Sequence, residues 1–398
     1  MSPFITGSRT LLKNEVENRI AMSKYSIKGS DAFDAKLDAD FAVIVKALTA
    51  SQDGPLCVAL ILIGGYGRGE GTPYIVGDKQ LPFNDYDFVV VSVAMPRQQR
   101  NAVQARLRRL EQSLSQQLGL PVDLCLYPYN DLQRAEFSLL NYEMRYGHKV
   151  IWGKPEVLND MPAYAHDAIP LSEGTRLLLN RGKLLLDIRR ALRTGRALTP
   201  EERLRYMKFV FKAFLAFGDC ALLLLRTYDL SYVVKKKRVE TVAATDVPDP
   251  AYLIACFQRA VAFKEWGDCT TLDGFDLVAE YERVRHYFVQ FFYWYESRRL
   301  GRPVRDTDTF TQALAQGPRE CPSWKALLLN GQAFGVSALS GSASLLLAHP
   351  RARLYLSLLV LLGDEPVDVA KASQIFVTPS SDREGVEQRF FQLQRRFS

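Results

Sequence analysis

The chain has 398 residues, 47% of them hydrophobic and 11% aromatic, which is ample for two globular cores and excludes a disordered or low-complexity protein. Its 51 Lys and Arg against 44 Asp and Glu leave a formal charge of +7, which permits an anionic partner such as nucleotide, tRNA or DNA without requiring one. The cysteines, at positions 57, 125, 220, 256, 269 and 321, are scattered without zinc-ligand spacing, and Cys57 and Cys125 fall in apolar runs that commonly bury a free thiol.

The expectation is therefore a reduced, cytoplasmic protein. The start "MSPFITGSRTLLKNEVENR" has no basic segment followed by an apolar core, so no signal peptide is expected. The late run "SLLLAHPRARLYLSLLVLLG" is broken by His349, Pro350, Arg351 and Arg353, too often for a membrane span.

In chain order, "DAFDAKLDADFAVIVKALTA" (Asp31 to Ala50) places Phe33, Leu37, Phe41, Val45 and Leu48 at helical spacing. A short apolar run, Leu56 to Ile63, then reads as a buried strand, and a second, Phe88 to Val93, as another. Between them lies "GGYGRGEG", a glycine-rich turn. "PRQQRNAVQARLRRLEQSLSQQLG" begins at Pro96, carries Val103, Leu107, Leu110 and Leu114 on one face and stops at Gly119, the signature of a helix. "PVDLCLYPY" follows as a third strand. From about Glu173 the pattern becomes long helical stretches, after a boundary near residues 155 to 172.

The chemistry concentrates at the second strand. Alternate residues of a strand face the same way, so Asp85 and Asp87 project together beside the glycine turn. Two adjacent carboxylates raise each other's pKa and are costly to bury, and a divalent cation is the usual remedy. Mg²⁺ takes hard oxygen ligands and completes its shell with substrate phosphates, while N–H groups in a glycine turn form an anion-binding concavity. Asp123, in the third strand, would join them if the two strands are neighbours. Such a cluster suits metal-assisted phosphoryl transfer, with Asp123 as a general base or shared ligand. The dinucleotide and P-loop fingerprints both fail in the glycine stretch.

Gly64-Gly65, then Asp85-Tyr86-Asp87, then Asp123 resembles the pattern of the nucleotidyltransferase superfamily of DNA polymerase β, and "GGYGRGEG" is similar to its minimal and bacterial antibiotic-modifying forms, with Arg68-Gly69-Glu70 matching Arg-Gly-Glu. "GHKVIWGKPE" resembles the end of that minimal domain. The likeness covers residues 55 to 156. It departs in the insertion "YIVGDKQLP", which could form a flap, in Gly65 where Ser is commoner, and in Asn84 where many members have Ser.

The resemblance together with the helical patterning gives an α+β chain: an N-terminal helical segment over 1–54 packing on the catalytic domain, a small mixed-sheet nucleotidyltransferase domain over 55–160 that the resemblance implies, and a larger all-α domain over 170–398 read from the helical stretches alone. It implies Mg²⁺ or Mn²⁺ held by Asp85, Asp87 and Asp123, and an NTP whose triphosphate is held by Gly64, Gly65 and Arg68. On the first long helix after the boundary, Arg176, Asn180, Lys183 and Asp187 share a face, and Asn180 and Lys183 are candidate nucleotide contacts.

The acceptor hydroxyl is open: a small molecule, tRNA, a protein, or a second nucleotide in an oligonucleotide second-messenger synthase. The competing class is a non-catalytic nucleic-acid-binding module using "KKKR" (Lys235 to Arg238) and "RFFQLQRRF", since basic runs with aromatic neighbours serve such contacts. Neither a membrane association nor an oligomeric state is indicated.

Overall fold

The computed structural model describes residues 23–267, 274–340, 342–377, 380 and 382–397. It is α+β, a small mixed sheet followed by a mostly helical region. Two compact units divide it. The first holds the described residues up to Glu136, Leu140–Ala163 and a short stretch from Ala262; the second holds Phe137–Leu139, Tyr164–Val261 and the described residues from 274 onward.

In the first unit, helix α1 (Asp31–Ala50) starts where the Ser30 side chain accepts from the Phe33 N–H. It buries Phe33, Leu37, Phe41, Ile44 and Leu48; Ile44 takes the fully buried place expected of Val45, because one residue of helix turns the stripe by about 100°. Strand β1 (Cys57–Leu62) leads into a short helix α2 (Gly64–Arg68), then the hairpin β2 (Pro73–Val76) and β3 (Lys79–Pro82), then β4 (Tyr86–Ser92). Helix α3 (Arg97–Leu118) ends at Gly119, whose left-handed φ of 68° closes it. Strand β5 (Val122–Pro128), helices α4 (Tyr129–Leu132) and α5 (Leu139–Tyr146), and strand β6 (Lys149–Gly153) follow.

The sheet order is β5-β4-β1-β6, with β4 and β5 parallel and the other pairs antiparallel. Its two faces are sorted by period 2. Leu60, Leu62, Tyr86, Phe88, Val90, Val122, Leu124 and Leu126 share one core with the buried stripes of α1 and α3. Asp87 and Asp123 therefore belong to the opposite face.

In the second unit, α6 (Ser172–Arg193) and α7 (Pro200–Leu224) pack together, the latter opened by a Thr199/Glu202 capping box. They are followed by α8 (Tyr232–Arg238), α9 (Pro250–Trp266, whose last turn counts with the first unit), α10 (Leu277–Leu300), α11 (Thr307–Gln316), α12 (Ser323–Phe334), α13 (Ala343–Leu346), α14 (Arg351–Leu362), α15 (Val369–Phe376) and α16 (Arg383–Phe397). An aromatic core of Phe217, Tyr287, Phe288 and Phe291 lies between α7 and α10. Among the described residues, no helix is long and apolar enough to cross a membrane.

Two expectations need revision. Cys125 is exposed and Cys57 only half-buried, because Cys125 lies on the sheet face away from the helices. Cys269 falls outside the described residues. The "KKKR" run is not simply surface: Lys235 is fully buried, its Nζ 2.8 Å from Asp219 Oδ1 and over the rings of Tyr228 and Tyr232.

Candidate active site

The parallel pairing of β4 with β5 sets Asp87 directly opposite Asp123, and Asp85 stands just before β4. Ligating oxygens of Asp85, Asp87 and Asp123 all lie within 4.8 Å of one another. Asp85 and Asp87 are half-buried and Asp123 is exposed, so the cluster opens to solvent on the β5 side.

The intervening Tyr86 fixes the strand. Its side chain points the other way, into the α1 core, where its hydroxyl donates to Asp40 Oδ2 at 2.8 Å, and Lys36 Nζ donates to the same carboxylate at 2.6 Å. Burial pushes the Tyr86 phenol well above its ordinary pKa, with the Asp40 charge adding to it. A neutral phenol is thus held as a permanent donor, and Asp85 and Asp87 are aimed by the residue between them.

The glycines leave room for the acids. Gly64 has φ +68°, in the left-handed region that favours glycine, and a Cβ there would lie 2.6 Å from Asp87 Oδ2. The expected turn is a one-turn helix, α2, because the Gly67 N–H reaches back to the Ile63 carbonyl and the Glu70 N–H to the Gly65 carbonyl. Its Tyr66 hydroxyl accepts from the N–H groups of Phe83 and Asn84 at 3.1 and 3.3 Å and donates to the Thr72 carbonyl at 3.3 Å. The glycine segment and the approach to Asp85 are thereby one rigid piece. The Asn84 amide, on the residue before Asp85, donates to Thr72 Oγ1 at 3.1 Å.

The insertion is the β2–β3 hairpin, not a free flap. Its Gln80 side chain accepts from the Ser30 N–H at 2.7 Å and donates to the Lys28 carbonyl at 3.1 Å, tying it to the start of α1.

Arg68, expected at the triphosphate, has its guanidinium Nη1 3.0 Å from Glu143 Oε2 and its Nε 4.0 Å from Glu70 Oε2, all within the first unit. This ion pairing holds α2 against α5. Lys149, whose ammonium burial pushes below its ordinary pKa, donates to the Gly67 carbonyl at 3.1 Å. Asn180 and Lys183 lie on α6 of the second unit, where Asn180 is exposed and Lys183 Nζ is 3.0 Å from Asp187 Oδ2.

One cation was not legible in the sequence. Lys264, in the last turn of α9, brings its Nζ to 3.0 Å from where a Cβ on Gly65 would stand. Phe263 beside it packs edge-on against Phe83, their centroids 5.5 Å apart, which anchors that turn to the segment before Asp85. "VAFKEWGD" carries no motif, so only tertiary structure brings this ammonium to the glycines.

No protein-family model matches the chain, and no curated protein matches it. Among solved structures, spectinomycin adenyltransferase AAD(9) from Enterococcus faecialis, with ATP and spectinomycin, is similar at 11% identity over 63% of this chain and 98% of that one, with a TM-score of 0.36.

Proposed function

We propose that the chain is a metal-dependent nucleotidyltransferase that moves an NMP from an NTP to an acceptor hydroxyl. The observation that carries this reading is the convergence of Asp85, Asp87 and Asp123 beside a glycine segment that an ammonium approaches. Carboxylate oxygens alone form the donor set, which suits Mg²⁺ or Mn²⁺ rather than a soft metal. The missing Cβ of Gly64 is what lets the Asp87 carboxylate sit where it does. Asp85 and Asp87, with Asp123 shared, would hold the cation, which when bound neutralises phosphate charge as a Lewis acid.

The chain's own residues supply the rest. Gly64 and Gly65 offer N–H groups at the start of α2 to phosphate oxygens, since the first N–H groups of a helix have no partner within it. Lys264 adds positive charge beside them. Arg68 acts on the phosphate only through the position of α2, to which it contributes by its Glu143 pair. The acceptor oxygen attacks the α-phosphorus in line, the bond to the leaving pyrophosphate breaks, and the acceptor proton passes to Asp123, the most exposed of the three acids.

The test is incubation with each α-labelled NTP, Mg²⁺ or Mn²⁺ and a cell extract, beside the Asp85→Ala/Asp87→Ala protein. Label entering a product only with the intact chain supports transfer, and its mobility as small molecule, RNA or protein names the acceptor class. Oligonucleotide products would instead identify a second-messenger synthase. No transfer under any condition, with NTP binding unchanged in the double variant, would overturn the reading.

A further inference from the structure

The positive charge of the chain is not spread evenly. Residues 176 to 212 carry eleven Lys and Arg against three Asp and Glu, a local +8 in a chain whose total is +7, so all other residues together sum to −1. This stretch is α6 and the first half of α7, both in the second unit. Only three acids lie among them, Asp187, Glu201 and Glu202, so within the stretch cations outnumber acids. Arg193, Arg196, Arg203, Arg205 and Lys212 are exposed.

The cationic stretch is also concave and aromatic. One hollow of about 500 Å³ is lined by Arg190, Arg196, Arg205, Tyr206 and Phe209. A second of about 360 Å³ is lined by Lys183, Arg190, Phe391, Gln392 and Arg395. Arg190 and Asp187 border both, so the two hollows adjoin. Helix α16 closes the second: its Glu387 takes Arg193 at 2.7 Å and Arg190 at 3.5 Å, and the half-buried Phe391 ring lies under the Arg190 guanidinium at 5.3 Å. The Arg205 guanidinium covers Tyr206 at 4.8 Å. Along this groove the Arg205 guanidinium caps the buried Tyr206, and the half-buried Phe209 and Phe391 rings lie among the cations.

We propose that this groove on α6, α7 and α16 binds a single-stranded polynucleotide. Phosphates are the complement of a groove whose cations, Lys183, Arg190, Arg196, Arg205 and Arg395, outnumber its lining acids, Asp187 and Glu202, and unpaired bases, unlike those of a duplex, are free to stack on aromatic and guanidinium faces. An acidic peptide would satisfy the charge but leave the half-buried Phe209 and Phe391 rings and the exposed Arg205 guanidinium face without a stacking partner. The inference stands apart from the catalytic reading, because none of these residues belongs to the carboxylate cluster.

The test is fluorescence anisotropy of the full chain with labelled 20-nucleotide oligo(U) and oligo(dT), a 20-base-pair duplex and poly-glutamate, at several NaCl concentrations. Either single strand is expected to bind better than duplex and poly-glutamate, the RNA and DNA arms distinguishing the source. Affinity should fall with salt by about 0.7 in log–log slope per phosphate contacted. Arg190→Gln/Arg205→Gln/Arg395→Gln should weaken binding at least tenfold and make that slope shallower by about 2. If the triple variant does not fold, Arg205→Gln and Arg395→Gln singly, both at exposed positions, should each weaken it severalfold. Asp85→Ala/Asp87→Ala should bind as the unaltered chain does, so failed transfer and failed binding remain separate results. Absence of oligonucleotide binding, equal binding of poly-glutamate, or loss on Lys236→Gln/Lys237→Gln in place of the groove variants would overturn the proposal.

Discussion

The buried acids of the second unit and the Asp85, Asp87 and Asp123 cluster of the first are treated in opposite ways, even though the first unit also pairs its buried Asp40 with Lys36 and Asp53 with Arg106. In the second unit the buried acids Glu173, Asp219, Glu296 and Glu387 each meet a cation: Arg176 at 2.7 Å, Lys235 at 2.8 Å, Arg299 at 2.5 Å and Arg193 at 2.7 Å. In the first unit three acids are brought within 4.8 Å of one another. Like charges at that range repel, so the β4–β5 register holds an arrangement that costs folding energy, while the pairs of the second unit serve folding itself. The same residue type is structural where it faces a cation and a candidate for chemistry where it faces its own kind.

That contrast breaks most visibly under substitution. Asp85→Asn/Asp87→Asn is expected to lower nucleotidyl transfer at least ~10³-fold, about 4 kcal/mol of barrier, while the melting temperature stays level or rises because repulsion is relieved. Asp219→Ala should do the reverse. It strands the fully buried Lys235 ammonium and should lower stability by about 3–5 kcal/mol in urea titration.

Smaller effects sharpen the picture. Lys264→Gln should raise KM for NTP roughly tenfold, about 1.4 kcal/mol, with little change in melting temperature. Gly64→Ala combines a left-handed backbone with a Cβ 2.6 Å from Asp87 Oδ2; about 1 kcal/mol of stability should be lost, and transfer should fall by more than that loss explains.

An effect of similar size is a pH dependence in the second unit. His349 Nδ1 accepts from the Arg351 N–H at 3.2 Å, and burial, with the Arg351 charge adding, pulls its pKa down to about 4. The folded chain therefore resists a proton that the unfolded chain takes below about pH 6.5. Stability contributed by neutral His349 is present above pH 6.5 and is lost as pH falls toward 4, on the order of 1–2 kcal/mol after allowing for its partial exposure. His349→Gln should flatten that part of the urea-midpoint profile.

Much of this was legible in the sequence, for a local reason. The helices at 31–50 and 97–118 announce themselves by periodicity, and the alternation in "DYDFVVV" sorts Asp85 and Asp87 from Tyr86 without any knowledge of neighbours. Asp123 needed one non-local assumption, that its strand pairs with β4, and the register Asp87–Asp123 supplies it. Features that depend on distant chain segments were not legible. The pairing of Arg68 with Glu143, far along the chain, at 3.0 Å has no local signal. The "KKKR" run looks solvated until Asp219 appears under Lys235. Lys264 has no local signal at all.

Manganese binding tests the central claim most directly. Mn²⁺ would be titrated into the full chain with a non-hydrolysable NTP present, free ion being followed by electron paramagnetic resonance, beside Asp85→Asn/Asp87→Asn. The account predicts tight uptake by the unaltered chain and at least a tenfold weaker uptake by the variant, with both proteins equally folded. Equal uptake by the two would contradict the assignment of this cluster as the metal centre.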